Sequence, residues 1–548
     1  MELARFIGSH RVVPLAALML AGAILLPGDN SVSAAGPGVI ERVGDVFSRT
    51  GMAISDDGRF VAFSGAVVDR TSGAAQPVPS ETNGGLEMSG DGRYIAFTSH
   101  AALVPEDDNG AQDVYLYDRE LGSNELVSVA TDGSAGNSYS GFWFDIAVSG
   151  DGRFVAFVSQ ASDLVPDDTN TCYMGMSCRD VFVRDRLLGT TERVSVDSDG
   201  GEGNYDSGDT GVSMSADGRF VAFDSSATNL VPTAGVGIFV RDRDTDENGT
   251  YDEPGAVETF FVVEQGILPA ISGDGRFVAY HTWKQGGGVV LHDRQSGADT
   301  IVAQTGLAGG GTAMDLSSDG RFLVFASSNS LVPEDVNTQG PGRDVYLYDR
   351  ESGALELLSV ARDGSPADGA SAGGYLYENL AVIALTPDGR YAAFHSLATN
   401  LVPGEEERGV FVAGTSALGP VDTDGDGCSD KQELGFQPLL GGQRDPESFW
   451  DFFDVPVGEP AERDGRVNIL DIGAIVTRFG SARETPPTKE EALAEALSPP
   501  PPAPAYHAAS DRGGPIPGQE LWNLLPPDGS IDITDLGAAV VQFGHTCA

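Results

Sequence analysis

The chain has 548 residues, enough for two or more domains, and carries 81 acidic against 33 basic side chains, a formal net charge of −48. Such a charge excludes nucleic acid as a partner, because its phosphates would be repelled. It fits an extracellular cation-binding protein, or acidity that only keeps the protein soluble. At the N-terminus, Arg5, His10 and Arg11 precede the apolar stretch Val12–Leu26, and Val32-Ser33-Ala34 offers a small-residue cleavage site. Residues 1–34 therefore read as a secretory signal peptide. An uncleaved anchor is the alternative, but Pro14 and the short stretch favour cleavage. No other segment is apolar enough to span a membrane, so no stable membrane insertion is expected.

Between residues 57 and 390 the tripeptide Asp-Gly-Arg occurs seven times, each copy before a short apolar run: SDDGRFVAF at 55–63, SGDGRFVAF at 149–157 and TPDGRYAAF at 386–394 are examples. Gly supplies the positive φ of a tight turn, and Asp bonds its own downstream backbone, so the unit reads strand, turn, strand. The near-continuous apolar runs predict strands covered on both faces. A second signal follows, as in Asp113-Val114-Tyr115-Leu116-Tyr117-Asp118-Arg119, then a third, Glu125-Leu126-Val127-Ser128-Val129. With the lead-in of each copy, that makes four strands per repeat, and seven such units predict a β-propeller. The last copy lacks a Glu-x-Val-Ser strand. Val39–Val43 resembles Thr191–Ser195 and is expected to complete the last blade, closing a ring whose edges would otherwise be open. An open solenoid is the alternative.

These repeats resemble the TolB-like propeller repeat, a relative of the WD type, over residues 36–416. Such propellers serve as binding platforms, peptidase gates and lyases, so the resemblance implies the fold more than an activity. Cys172 and Cys178 flank a short insertion and are placed to pair in an oxidising compartment, with Cys428 and Cys547 as the other pair. Several blades carry D-x-N…D loops: Asp107/Asn109/Asp113, Asp168/Asn170/Asp180 and Asp335/Asn337/Asp344. They fit either a cation or, as we favour, side-chain caps on turns. Asp244, Asp246, Asn248 and Asp252 follow calcium-loop positions one, three, five and nine, with Gly249 at six and no carboxylate at twelve. Gly369–Gly373 matches G-x-S-x-G but lacks the strand-to-helix context of a nucleophile elbow. His100, His281 and His395 each follow or end an apolar strand, without forming a recognisable catalytic set.

Residues 417–445 form a linker with a calcium loop of EF-hand pattern. Asp422, Asp424, Asp426, Asp430 and Glu433 fall at loop positions one, three, five, nine and twelve. Gly427 takes the sharp turn at six, and Cys428 would offer its carbonyl at seven. Five carboxylates this close repel one another without a cation, so Ca2+ is the expected cofactor. The loop resembles thrombospondin type-3 loops. Asp464–Ile472 and Asp528–Leu536 each run D-G-x-[VI]-[ND]-I-x-D into an apolar helical stretch, and resemble the halves of a dockerin, residues 446–548, split by a Pro-rich insertion at about 484–527. That resemblance implies ligands Asp464, Asn468 and Asp471 in one half and Asp528, Asp532 and Asp535 in the other. It also implies a cohesin-like partner, although Ile469-Leu470 and Ile533-Thr534 stand where dockerins commonly carry Ser/Thr.

The fold expected is thus all-β, a seven-bladed propeller closed by its N-terminal strand, with a small α-helical dockerin-like calcium-binding domain. The expected function is a secreted, non-enzymatic scaffold that binds a protein or glycan on the propeller and attaches through its tail. The alternative is a polysaccharide lyase or hydrolase with its active site in the propeller.

Overall fold

The computed structural model describes residues 40–44 and 51–418, apart from 64, 80–84, 142–145, 173–174, 233, 283–286, 305–313, 334, 336–342, 362–364, 373–382 and 403–407. The signal peptide and every tail ligand from Asp422 to Asp535 lie outside the described residues.

The described strands make seven antiparallel four-stranded sheets. In blade 3 the order from the centre outward is Ile146–Val148, Phe154–Ser159, Asp180–Asp185 and Thr190–Arg193. The innermost strands of the other blades are Met52–Ile54, Leu86–Met88, Ser207–Met214, Gly266–Ile271, Met314–Leu316 and Ile383–Leu385. The Phe-Val-Ala-Phe run looks continuous because both of its faces are buried, yet it still alternates. Phe154, Ala156 and Val158 pack with Val212 and Val221 of blade 4, whereas Val155 and Phe157 pack with Ala96 and Val114 of blade 2.

The Asp-Gly-Arg turn holds each blade and joins it to the one before. In blade 3, Asp151 Oδ1 accepts from Ser149 Oγ (2.7 Å) and Arg153 N (2.9 Å), fixing the turn. Gly152 has φ 69°, and a Cβ there would lie 2.5 Å from the Tyr94 ring of blade 2. Arg153 makes a two-pronged pair with Asp185, at 3.1 and 2.7 Å. Arg186, the next residue, lies 4.4 Å over Tyr94, whose other guanidinium neighbour is Arg93 at 4.9 Å. The same packing recurs with Arg119 over Phe60, Arg294 over Phe220 and Arg350 over Phe277.

The third sequence signal is partly displaced. The outer strands end at Leu126, Arg193 and Leu357, before the Val-Ser-Val or Leu-Ser-Val segment. The reason is a side chain that replaces the ladder. Buried Ser128 accepts from Val114 N (3.0 Å) and donates to Asp113 (2.6 Å), and Ser195–Asp180 and Ser359–Asp344 repeat the contact. Cys172 and Cys178 form a disulfide, as expected, with Cα atoms 4.9 Å apart.

The ring is closed. Ile40–Gly44 pairs with Gly409–Gly414 as the outermost strand of blade 7, Ile40 opposite Ala413 and Arg42 opposite Phe411. Gly58 of blade 1 seats against Tyr391 of blade 7, Arg70 lies 4.7 Å over that ring, and buried Arg70 is ion-paired to buried Glu41 of the closing strand.

Candidate functional site: the central channel

The seven innermost strands leave their free edges facing a central cavity of about 700 Å³. The position two residues before each turn Ser or Thr is Ala53, Glu87, Ala147, Ser213, Ala270, Asp315 and Ala384. Five copies are small, and two put a carboxyl on the cavity wall. Two of these side chains reach the following blade. Asp315 Oδ2 accepts from Leu385 N (2.7 Å), and Ser213 Oγ accepts from Ile271 N (3.1 Å), satisfying edge amides that no strand pairs.

Burial, reinforced by the charge of Asp315, pushes Glu87 up to about 8. Burial also raises Asp315 to about 6, against the opposing pull of the Leu385 and Leu316 amides. Burial thus favours the protonated form of Glu87 more strongly than that of Asp315. The rest of the wall mixes apolar side chains, Met52, Leu86, Ile146, Met214, Leu316 and Ile383 among them, with polar ones such as Asp209, Thr210 and Ser213.

Backbone bonds between blades gather one mouth of the channel. Asp56 N donates to Gly90 O, Gly90 N to Gly150 O and Gly150 N to Ala216 O, each at 2.8 Å; Ala216 N donates to Gly273 O at 3.0 Å and Ser318 N to Pro387 O at 2.7 Å. Pro387 has no N–H, so it cannot extend the chain of bonds to blade 1. Asp56 stands at that seam, raised by burial and by Asp57, Asp388 and Asp91. A Cβ on Gly90 would meet the Asp56 carboxylate at 2.3 Å, so a larger residue there would require that carboxylate to move.

Blades 4 and 5 break the symmetry. Their innermost strands are longer, with register shifts between Ser207 and Val212 and between Ile267 and Ala270. Leu268 adopts φ 55° and donates its N–H to Thr210 Oγ1 (2.8 Å). Asp209, paired to Arg179 at 2.6 Å, also lines the cavity, and Thr210 N donates to buried Asp224 (2.9 Å), which burial raises to about 6. Strained backbone of this kind gathers where a protein shapes a binding wall.

Other sequence candidates fall elsewhere. Asp244 accepts from Asn248 N (3.0 Å) and Gly249 N (2.9 Å), and Asn248 Nδ2 donates to Asp246 (3.1 Å), so these three share one loop. The Asp252 carboxylate instead pairs with Arg243 at 2.5 Å. Ser371 of the G-x-S-x-G match is buried against Ser396 (2.8 Å), repeating Ser140–Ser159 and Ser207–Ser225, which makes it a packing residue. His281 is buried and its pKa lowered by burial and Arg343; His100 packs edge-on against Tyr139; neither these nor His395 lines the channel. Among the described residues, Asp168, Asp180 and Glu202 bring three carboxylates within 4.8 Å, with Arg193 Nη1 between them at 3.7, 3.9 and 2.7 Å. Sequence reading missed Glu87 and Asp315. Their signal was the two acidic exceptions at a position that is otherwise Ala or Ser.

No family model matches this chain, and no curated protein matches it. Among solved structures it is similar to TolB from Acinetobacter baumannii, at 15% identity and TM-score 0.33 over 56% of this chain. That match spans 62% of the TolB chain, under two thirds of its length. An oligogalacturonate lyase from Vibrio parahaemolyticus matches at 11% identity and TM-score 0.43, covering 68% of this chain and 93% of that one. An oligogalacturonate lyase in complex with manganese matches at 13% identity and TM-score 0.40, covering 70% and 95%. The seven-bladed architecture itself rests on the strand pairing of this chain.

Proposed function

We propose that the protein is a secreted, non-enzymatic binding scaffold whose central channel accepts a basic segment of a protein partner. The observation that carries this reading is the set of carboxyls Glu87, Asp209 and Asp315 on a channel wall of mixed polar and apolar groups, with Asp56, near Asp57, Asp91 and Asp388, on the same wall. A lysine or arginine entering the channel would find an apolar path for its stem and carboxylates for its head. Its charge would favour the ionised forms, so binding would release protons and tighten as pH rises from 6 to 8. The net charge of −48 would speed encounter with basic partners at low salt. Thermal melts with a short oligolysine test the reading: wild type should be stabilised, and the Glu87→Gln/Asp315→Asn variant should not. Equal shifts in both proteins would refute it.

Secretion rests on the N-terminal signal pattern and on the Cys172–Cys178 disulfide, which suits an oxidising compartment. No helix among the described residues is long and apolar enough to cross a membrane. In this reading the tail binds Ca2+ through Asp422, Asp424, Asp426, Asp430 and Glu433 and serves attachment, with a cohesin-like partner as one candidate. Calcium at 100 times its dissociation constant would add about 2.7 kcal/mol to the tail. Asp424→Ala should remove most of that gain; a melt unchanged between calcium and chelator in wild type would sink the calcium reading.

A second reading is favoured by the same pair. Two carboxyls on one cavity wall whose pKa values burial raises to about 8 and about 6 could supply an acid and a base of the kind that cleave glycans. Glu87 would then be the acid and Asp315 the base. Release of reducing ends from a glycan panel, abolished by Glu87→Gln, would establish this reading and displace the scaffold.

A further inference from the structure

Blades 2 and 3 build one loop on a common plan, and blade 6 repeats the described residues at its two ends. An Asp (107, 168 or 335) precedes a third strand that opens on another Asp (113, 180 or 344), and the second Asp accepts a hydroxyl from Ser128, Ser195 or Ser359. In blades 2 and 3, where the intervening Asn is described, its Nδ2 spans the gap. Asn109 donates to Asp113 (2.7 Å) and Gly136 O (2.7 Å), and Asn170 to Asp180 (3.1 Å) and Gly203 O (2.8 Å). The first Asp is 7%, 8% and 6% exposed in turn. Two buried carboxylates so placed need a positive charge.

Blade 3 supplies its own. Arg193, opposite Phe182 on the outer strand, sets Nη1 at 3.7 Å from Asp168 and 3.9 Å from Asp180, and Glu202 completes the cluster at 2.7 Å. At the same register blade 2 has Leu126 opposite Tyr115, and blade 6 has Leu357 opposite Tyr346. There the neutral phenol donates to Oδ2 of Asp107 or Asp335; Oδ1 of each, like that of Asp168, is buried with no hydrogen-bond partner, but no guanidinium among the described residues stands by it as Arg193 does by Asp168. A hydroxyl offsets one lone pair but leaves the charge uncompensated.

We propose that blades 2 and 6 each bind one oxygen-preferring divalent cation, of which Ca2+ is the expected species, on Asp107 with Asp113 and on Asp335 with Asp344, where blade 3 places the guanidinium of Arg193. The donors are hard oxygens, and water completes the six to eight that calcium takes. These sites are distinct from the channel and from the tail, so they stand or fall separately from the scaffold reading.

The test uses the full chain. After calcium saturation and exhaustive dialysis, metal content should be two equivalents lower in Asp107→Asn/Asp335→Asn than in wild type; equal content overturns the proposal. Terbium offers a second measurement that does not depend on that variant folding. Tyr115 and Tyr346 touch the ligand carboxylates, so tyrosine-excited Tb3+ emission should fall in Tyr115→Phe/Tyr346→Phe while calcium content stays at the wild-type value. Emission equal to that of wild type overturns the proposal as well.

Discussion

The Asp-Gly-Arg-aromatic tetrad is a connector between blades as much as a turn. Its Gly lies against the aromatic ring of the preceding blade, and its Arg stacks on the aromatic beside it. Gly152→Ala would force a methyl group to 2.5 Å from Tyr94 and hold a non-glycine at φ 69°. Gly297 has the same φ of 69° with nothing within 4 Å of its Cβ position, so Gly297→Ala isolates the backbone penalty, roughly 1 kcal/mol. Urea melts should show Gly152→Ala costing about 2 kcal/mol more than Gly297→Ala; equal costs would mean that the contact between blades adds nothing. This part of the structure was legible in the sequence, since seven copies of one motif fix turn chemistry. What the motif does to its neighbour was not, because that contact joins residues about sixty positions apart, such as Gly152 and Tyr94.

At the scale of elements, the closing strand is the point of greatest leverage. Ile40–Gly44 was foreseen within one residue, because the last repeat lacked an outer strand and the N-terminus carried its match. The ion pair that fixes it was not foreseen, since Glu41 and Arg70 sit in different blades and both look like surface residues. Glu41 is wholly buried, so Glu41→Ala leaves Arg70 charged in the interior and should cost about 3–5 kcal/mol by denaturant titration. A cost below about 1 kcal/mol would mean that the strand is held by its ladder alone. The channel acids escaped notice for a related reason: Leu86–Met88 and Met314–Leu316 are three residues long, too short for a period to show. The D-x-N…D loops were visible, but only strand register reveals that Arg193 fills in blade 3 a place left to Leu126 and Leu357 elsewhere.

Among the described residues, the propeller buries several carboxyls whose pKa values are raised. Glu87 at about 8, Asp180 at about 7, and Asp113, Asp168, Asp224 and Asp315 at about 6 all hold protons more tightly folded than unfolded. The folded state thus binds more protons between about pH 4 and 8, and stability falls as pH rises through that window. Asp349, held down at about 2 by Arg321, works the other way: its contribution is present above about pH 4 and lost as pH falls toward 2. In chelator the propeller should therefore melt highest near pH 4–5 and lower at pH 8. Glu87→Gln should recover part of the loss at pH 8, on the order of a few kcal/mol at most because Glu87 is partly exposed on the cavity wall, and nothing at pH 4. A flat melting profile from pH 4 to 8 would contradict these assignments. The most direct test of the channel as the binding site is calorimetric titration of a short oligolysine at pH 6 and pH 8, in buffers of different ionisation enthalpy. The account predicts tighter binding at pH 8, proton release near pH 7, and loss of both in Glu87→Gln/Asp315→Asn; pH-independent binding, or binding that survives the double substitution, would contradict it.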